Sequence, residues 1–151
     1  MLENTDTLLA MAEIAAAFAG FSALVSVLRR RSGSPGEAVH DLLRLRLVIS
    51  SSVAGVAAAL IPVGIAGYGL DPSTTWRLSA LGFLIFDNGI IASFVSSYRP
   101  VKGKFDPDRL AVVLVSSLEL VEQGSLLAVL LVPSFENGPA LYVTALIANI
   151  C

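Results

Sequence analysis

The sequence predicts an all-α integral membrane protein: a bundle of four transmembrane helices plus a short fifth apolar C-terminal segment. Three observations predict it. Of the 151 residues, 55% are hydrophobic and 15% charged, with a mean hydropathy of +0.78, whereas soluble domains run about 45–50% apolar and about 25% charged. The apolar residues gather into four blocks, 8–28, 47–70, 78–98 and 110–132, each at or above the roughly 20 residues that span a bilayer. Finally, nine of the ten basic residues fall in alternate connections: Arg29, Arg30, Arg31, Arg44 and Arg46 in one, Arg99, Lys102, Lys104 and Arg109 in the other.

That alternation sets an expected orientation. Arg77 shares the opposite side with Glu3, Asp6, Asp71 and Glu136, so the positive-inside rule places the N-terminus outside and loops 29–46 and 99–109 in the cytoplasm. The expected location is a bacterial inner (plasma) membrane, with residues 1–151 forming a single membrane domain.

The first block, 8–28, follows Glu3 and Asp6 with no basic residue before it, and it exceeds the roughly 7–15 apolar residues of a signal peptide. It is therefore read as a retained span. Glu13, Ala16, Ala17 and Gly20 fall on one of its sides, a small-residue face suited to close helix packing. Arg29 to Glu37 contains Ser32, Gly33, Ser34, Pro35 and Gly36, a helix stop followed by turn residues. From Val39 to Leu47, leucines alternate with Asp41, Arg44 and Arg46, as in a helix entering through the membrane interface. Arg44 and Arg46 are placed to hold lipid headgroups, or else only obey the orientation rule.

The second block, 47–70, contains no charge. Ser50, Ala54, Ala57 and Gly64 share a side, and Pro62 is expected to bend the helix toward its outer half. The turn that follows combines Asp71, Pro72, Trp76 and Arg77, which makes the second and third helices antiparallel neighbours. Within the third block, Phe86-Asp87-Asn88-Gly89 inserts turn-favouring residues into an apolar span. Two readings stay open: a local helix break that exposes carbonyls beside Asp87, or an intact helix with Asn88 bonded to a neighbour and Gly89 permitting close packing.

Loop 99–109 holds Pro100, Gly103 and Pro107 and is too short and broken to be a domain. After the fourth block and a turn at 134–139, the apolar run 140–151 would rise only about 18 Å as a helix, short of the roughly 30 Å hydrocarbon core. It is expected to be a half-helix, an interfacial helix, or the beginning of a truncated fifth span.

Four carboxylates lie inside the blocks, Glu13, Asp87, Glu119 and Glu122, and the blocks hold no basic residue to pair with them. Each costs about 2.5–3.5 kcal/mol at the centre of an inserting helix, so the group marks protected or hydrated surroundings and a functional pathway. Glu119 and Glu122 are three residues apart and share a helix face with Ser116 and Gln123. Asp87 lies near the midplane of its span, with Ser79, Ser93 and Ser97 within about 120° of it around the helix. Glu13 lies in an outer half.

These residues predict a path for protons or small cations through Glu119, Glu122, Asp87, Glu13, Asn88, Gln123 and Ser116. Carboxylates in a low-dielectric interior can load and release a proton, and their oxygens also suit a monovalent or divalent cation. Four helices scarcely enclose a hydrated pore, so the expected form is a homo-oligomeric channel or transport protein in the lipid bilayer. The alternative is a non-conducting membrane subunit that binds or positions a protein partner, with the acids as interhelical hydrogen-bonding groups.

Catalysis is not expected. Asp87 is the only aspartate within a span, His40 stands alone in a loop, no Glu-x-x-His element accompanies the glutamates, and Cys151 is the only cysteine. No resident metal, cofactor or nucleic-acid partner is predicted.

Overall fold

A computed structural model of the chain describes residues 4–29, 35–99, 109–132 and 137–150. These form five α-helices, with no strand among the described residues: α1 (Thr5–Arg29), α2 (Pro35–Ala66), α3 (Pro72–Tyr98), α4 (Arg109–Leu131) and α5 (Gly138–Ile150). Four segments are long and apolar enough to cross a membrane, Thr5–Val25, Leu45–Ala66, Pro72–Tyr98 and Arg109–Leu131.

The helix ends follow local chemistry rather than the edges of the hydrophobic blocks. α2 begins at Pro35, so most of the expected 29–46 loop is helical; positions 30–34 and the loop positions 100–108 lie outside the described residues. At its other end α2 stops at Ala66, four residues before its apolar block runs out. There Gly67, Tyr68 and Gly69 donate to the carbonyls three residues back, and Gly69 adopts φ +72°, a left-handed conformation that glycine reaches without a Cβ penalty.

α3 then starts six residues before its apolar block. Asp71 caps it, accepting from the Thr74 N–H at 2.9 Å and from the Ser73 hydroxyl, and Pro72 occupies the first turn, where a missing N–H is harmless. The Ser73 hydroxyl and then the Thr74 bonds hold the Asp71 carboxyl down at about 2. α3 runs unbroken through Asp87, Asn88 and Gly89, which decides between the two readings of that segment. Asn88 stays within the helix by donating to Leu84 O at 2.8 Å.

The core is built of small residues around one aromatic group. Leu8, Ala12 and Ala15 of α1, Ala54, Ala58 and Ala59 of α2, and Ala80 of α3 are buried. Trp76, Phe83 and Tyr142 supply the bulk; the Tyr142 ring lies 5.3 Å from Trp76 and 6.0 Å from Phe83, centroid to centroid. The small-residue faces differ from expectation. α1 turns Leu8, Ala12 and Ala15 inward and leaves Ala16, Ala17 and Gly20 exposed; α2 buries Ala54 as expected, but Gly64 is exposed. Alanines and glycines occur on several sides of both helices, so their spacing alone does not select a face.

α5 enters the core rather than lying at an interface: Tyr142, Ala145 and Leu146 have no exposed surface. It runs antiparallel to α2 and is tied to it twice, two turns apart on each helix. The Tyr142 hydroxyl donates to Ala58 O at 2.7 Å, and Ser51 Oγ donates to Asn149 O at 3.1 Å. Gly55 lies between these ties, where a Cβ would stand 3.2 Å from Asn149 Oδ1 and 3.3 Å from Ala15 Cβ. α1, α2 and α5 therefore converge on a position where a Cβ would be held tighter than ordinary van der Waals contact.

α4 is divided in character. Residues 109–117 are exposed on every side, whereas Glu122, Ser125, Leu126 and Val129 are buried farther along.

A carboxylate cluster as the candidate functional site

Asp87 of α3 and Glu119 and Glu122 of α4 each turn a carboxylate oxygen into one group, the three atoms lying within 4.8 Å of one another. Asp87 and Glu122 are buried, at 4% and 2% exposure, and Glu119 is half-buried. The three-residue spacing of the glutamates brings both onto the α4 side that meets α3.

Gln123 is the hub of this group. Its Nε2 donates to Asp87 Oδ2 at 2.7 Å and to Glu119 Oε1 at 2.9 Å, spending both of its N–H bonds on carboxylates. Its Oε1 accepts from Asn88 Nδ2 at 3.2 Å, and the same Asn88 nitrogen donates to Leu84 O. The chain of donors has one direction: it starts on α3, crosses to α4 and terminates on acid oxygens.

Asn149 is the member that sequence reasoning missed. Carried by α5 into the bundle, its side chain lies within hydrogen-bonding reach of Glu122. Two side-chain oxygens in this neighbourhood, Glu122 Oε1 and Asn149 Oδ1, are buried with no hydrogen-bond partner. The available signal was a side-chain amide in the otherwise apolar run 140–151.

The remaining expected residues are placed differently. Glu13 is exposed on α1 and is not one of the three converging acids. Ser116 is also exposed, on the uncovered part of α4. Ser79, Ser93 and Ser97 do not serve Asp87: Ser79 donates to Thr75 O, and Ser93 and Ser97 accept from Arg46 Nη2 and Nη1 at 3.1 and 3.4 Å. Arg46 thereby ties α2 to α3. The Arg44 side chain lies outside the described residues.

The chemistry on offer is a set of hard oxygen ligands and proton carriers in a sheltered position, with two amides holding it in shape. No protein-family model matches this sequence, and no curated protein or solved structure matches it either.

Proposed function

We propose that this chain is a membrane protein that passes protons or small cations by way of Asp87, Glu119 and Glu122. The observation that carries this reading is the convergence of three carboxylates from two helices at the middle of spanning-length segments. Isolated acids at such depth are costly, and a convergent set is a recurrent feature of ion and proton pathways. In this reading the bundle sits in a bacterial inner membrane with its N-terminus outside and positions 29–46 and 99–109 on the cytoplasmic side, following the distribution of arginine and lysine.

The conducting form is a homo-oligomer. Residues 109–117 of α4 are exposed among the described residues, and the polar or acidic positions Asn88, Ser116 and Glu119 retain exposed surface that a hydrated path between subunits accommodates.

Gln123 gives specific support to a second reading, because it bonds α3 to α4 through Asp87 and Glu119 and so acts as an interhelical clasp. In that case the chain is a non-conducting subunit that binds or positions a protein partner. Flux measurements separate the two. Purified protein reconstituted into vesicles is expected to dissipate a proton or monovalent-cation gradient, and Glu119→Gln and Glu122→Gln to slow it about tenfold or more, as for loss of an ionisable pathway group. Vesicles that stay tight under every gradient and pH eliminate permeation and leave the clasp.

A further inference from the structure

Arg46 stands at the edge of a spanning-length segment, and its charge meets no acid among the described residues. It follows Leu45, the first residue of Leu45–Ala66, and its guanidinium reaches across to the last turns of Pro72–Tyr98. There Nη2 donates to Ser93 Oγ at 3.1 Å and Nη1 to Ser97 Oγ at 3.4 Å. Both acceptors are neutral hydroxyls. A guanidinium carries five N–H donors, so three remain, with no further acceptor among the described residues.

The two serines hold the guanidinium in place without neutralising it. Ser93 and Ser97 lie one turn apart on α3, so they engage the two arms of the fork together. Ser97 gives its own proton to Ser93 O at 2.9 Å, which leaves the Ser93 hydroxyl as a further donor beside the three guanidinium N–H groups. A planar cationic fork and a neighbouring hydroxyl form a donor set that suits the oxygens of a phosphate.

The surroundings specify where that phosphate comes from. Arg99 caps α3 just beyond Ser97, and Arg109 opens α4 at the same end of the bundle, both exposed, so this end attracts anions. Inward from Ser93 the α3 surface is open and apolar. Gly89, one turn back, has no atom within 4 Å of its Cβ position, and Phe86 and Ile85 beyond it are 46% and 64% exposed. A phosphate at headgroup depth above an apolar strip matches the two ends of a lipid; a free phosphate leaves the strip unused.

We infer that Arg46 and Ser93, with Ser97 holding the guanidinium, seat the phosphate of one anionic lipid whose acyl chain lies along Gly89 and Phe86 of α3. The site is separate from the carboxylate cluster and does not depend on permeation.

The test uses the full chain in detergent, offered equal amounts of phosphatidylglycerol and phosphatidylcholine with the same acyl chains and read by native mass spectrometry. One phosphatidylglycerol per chain is expected in preference to phosphatidylcholine. Arg46→Gln is expected to weaken its retention about tenfold, as for loss of charge-assisted hydrogen bonds, and Arg109→Gln, at the same end, to leave it unchanged. Replacing both serines with alanine keeps the charge but frees the fork, and should weaken retention about threefold, in keeping with two neutral acceptors; this variant decides the matter should Arg46→Gln fail to fold. The inference is overturned if phosphatidylglycerol is not preferred, if folded Arg46→Gln or the double serine variant retains it as well as the wild type, or if Arg109→Gln loses as much as Arg46→Gln. Complete displacement of the lipid by excess inorganic phosphate would assign the seat to a free anion and overturn the lipid reading.

Discussion

Pro62 and Tyr142 meet through a single carbonyl. Ala58 O would accept from the N–H four residues on, but that residue is Pro62, which has none; the Tyr142 hydroxyl donates to Ala58 O instead, at 2.7 Å. A defect in α2 is thus filled by α5, and the proline that interrupts one helix provides the docking point for another.

This coupling has a measurable signature. Tyr142→Phe leaves a buried carbonyl without a donor and is expected to cost about 1–3 kcal/mol. In a Pro62→Ala background the restored N–H reaches Ala58 O, so the same substitution should cost less, with a coupling of about 0.5 kcal/mol or more. Denaturant unfolding of the four proteins in detergent provides the cycle, and strictly additive losses would show that the two residues act independently.

Gly55 governs the approach of α1 and α5 to α2. A methyl group there meets Asn149 Oδ1 at 3.2 Å and Ala15 Cβ at 3.3 Å, so Gly55→Ala is expected to destabilise by about 1–3 kcal/mol through overpacking. Gly89, with open space around its Cβ position, is the comparison: Gly89→Ala is expected to be neutral or mildly stabilising, since alanine is the better helix former by about 1 kcal/mol. Thermal unfolding of both variants checks the contrast.

Gln123 holds two of the three acids. Gln123→Leu removes both donated bonds and is expected to destabilise the fold by about 1–3 kcal/mol, since it leaves acceptors on Asp87 and Glu119 without their donor. Asn88→Leu, one step farther from the acids, should have the same sign and a smaller size. Denaturant unfolding of each variant in detergent, with helix content followed in parallel, tests this order; equal stabilities throughout would remove the amides from the clasp.

The turn between α2 and α3 has its own pH response. The Asp71 carboxyl lies at about 2 in the folded chain against its ordinary 3.8. A depressed value means that the charged form is favoured by folding, so its contribution is complete above about pH 5 and disappears as pH falls through the folded value. Asp71→Asn keeps an acceptor but removes the charge. Its melting temperature should fall below that of the wild type at neutral pH, and the gap should close as pH approaches 2. A gap that persists unchanged at pH 2 would assign the effect to something other than the carboxylate.

How much of this was legible depends on the length over which each property is summed. The four segments long and apolar enough to cross a membrane were visible because hydropathy averaged over some 20 residues leaves little ambiguity. Their ends were not: Gly69 and Asp71 set them through a left-handed turn and a cap, each the work of one residue. In the site, the glutamate pair and Gln123 could be read from their spacing on one helix. Asp87 was a candidate by depth alone, and Asn149 was overlooked in an apolar run.

By itself, then, the sequence determined the helical class, the four segments long and apolar enough to cross a membrane, and the acids that need an explanation. Tertiary structure decided which side of α1 faces inward, that α5 inserts beside α2, and that Asp87 joins the two glutamates while Glu13 does not. The physical reason is that these helices expose large apolar residues as well as burying them. Lipid is as apolar as leucine, so a spanning helix can be hydrophobic on every side and carries no amphipathic stripe to point at its neighbours. Faces are then chosen by close fit and by unfilled hydrogen bonds, such as the space at Gly55 and the carbonyl freed by Pro62, which exist only when the helices are together.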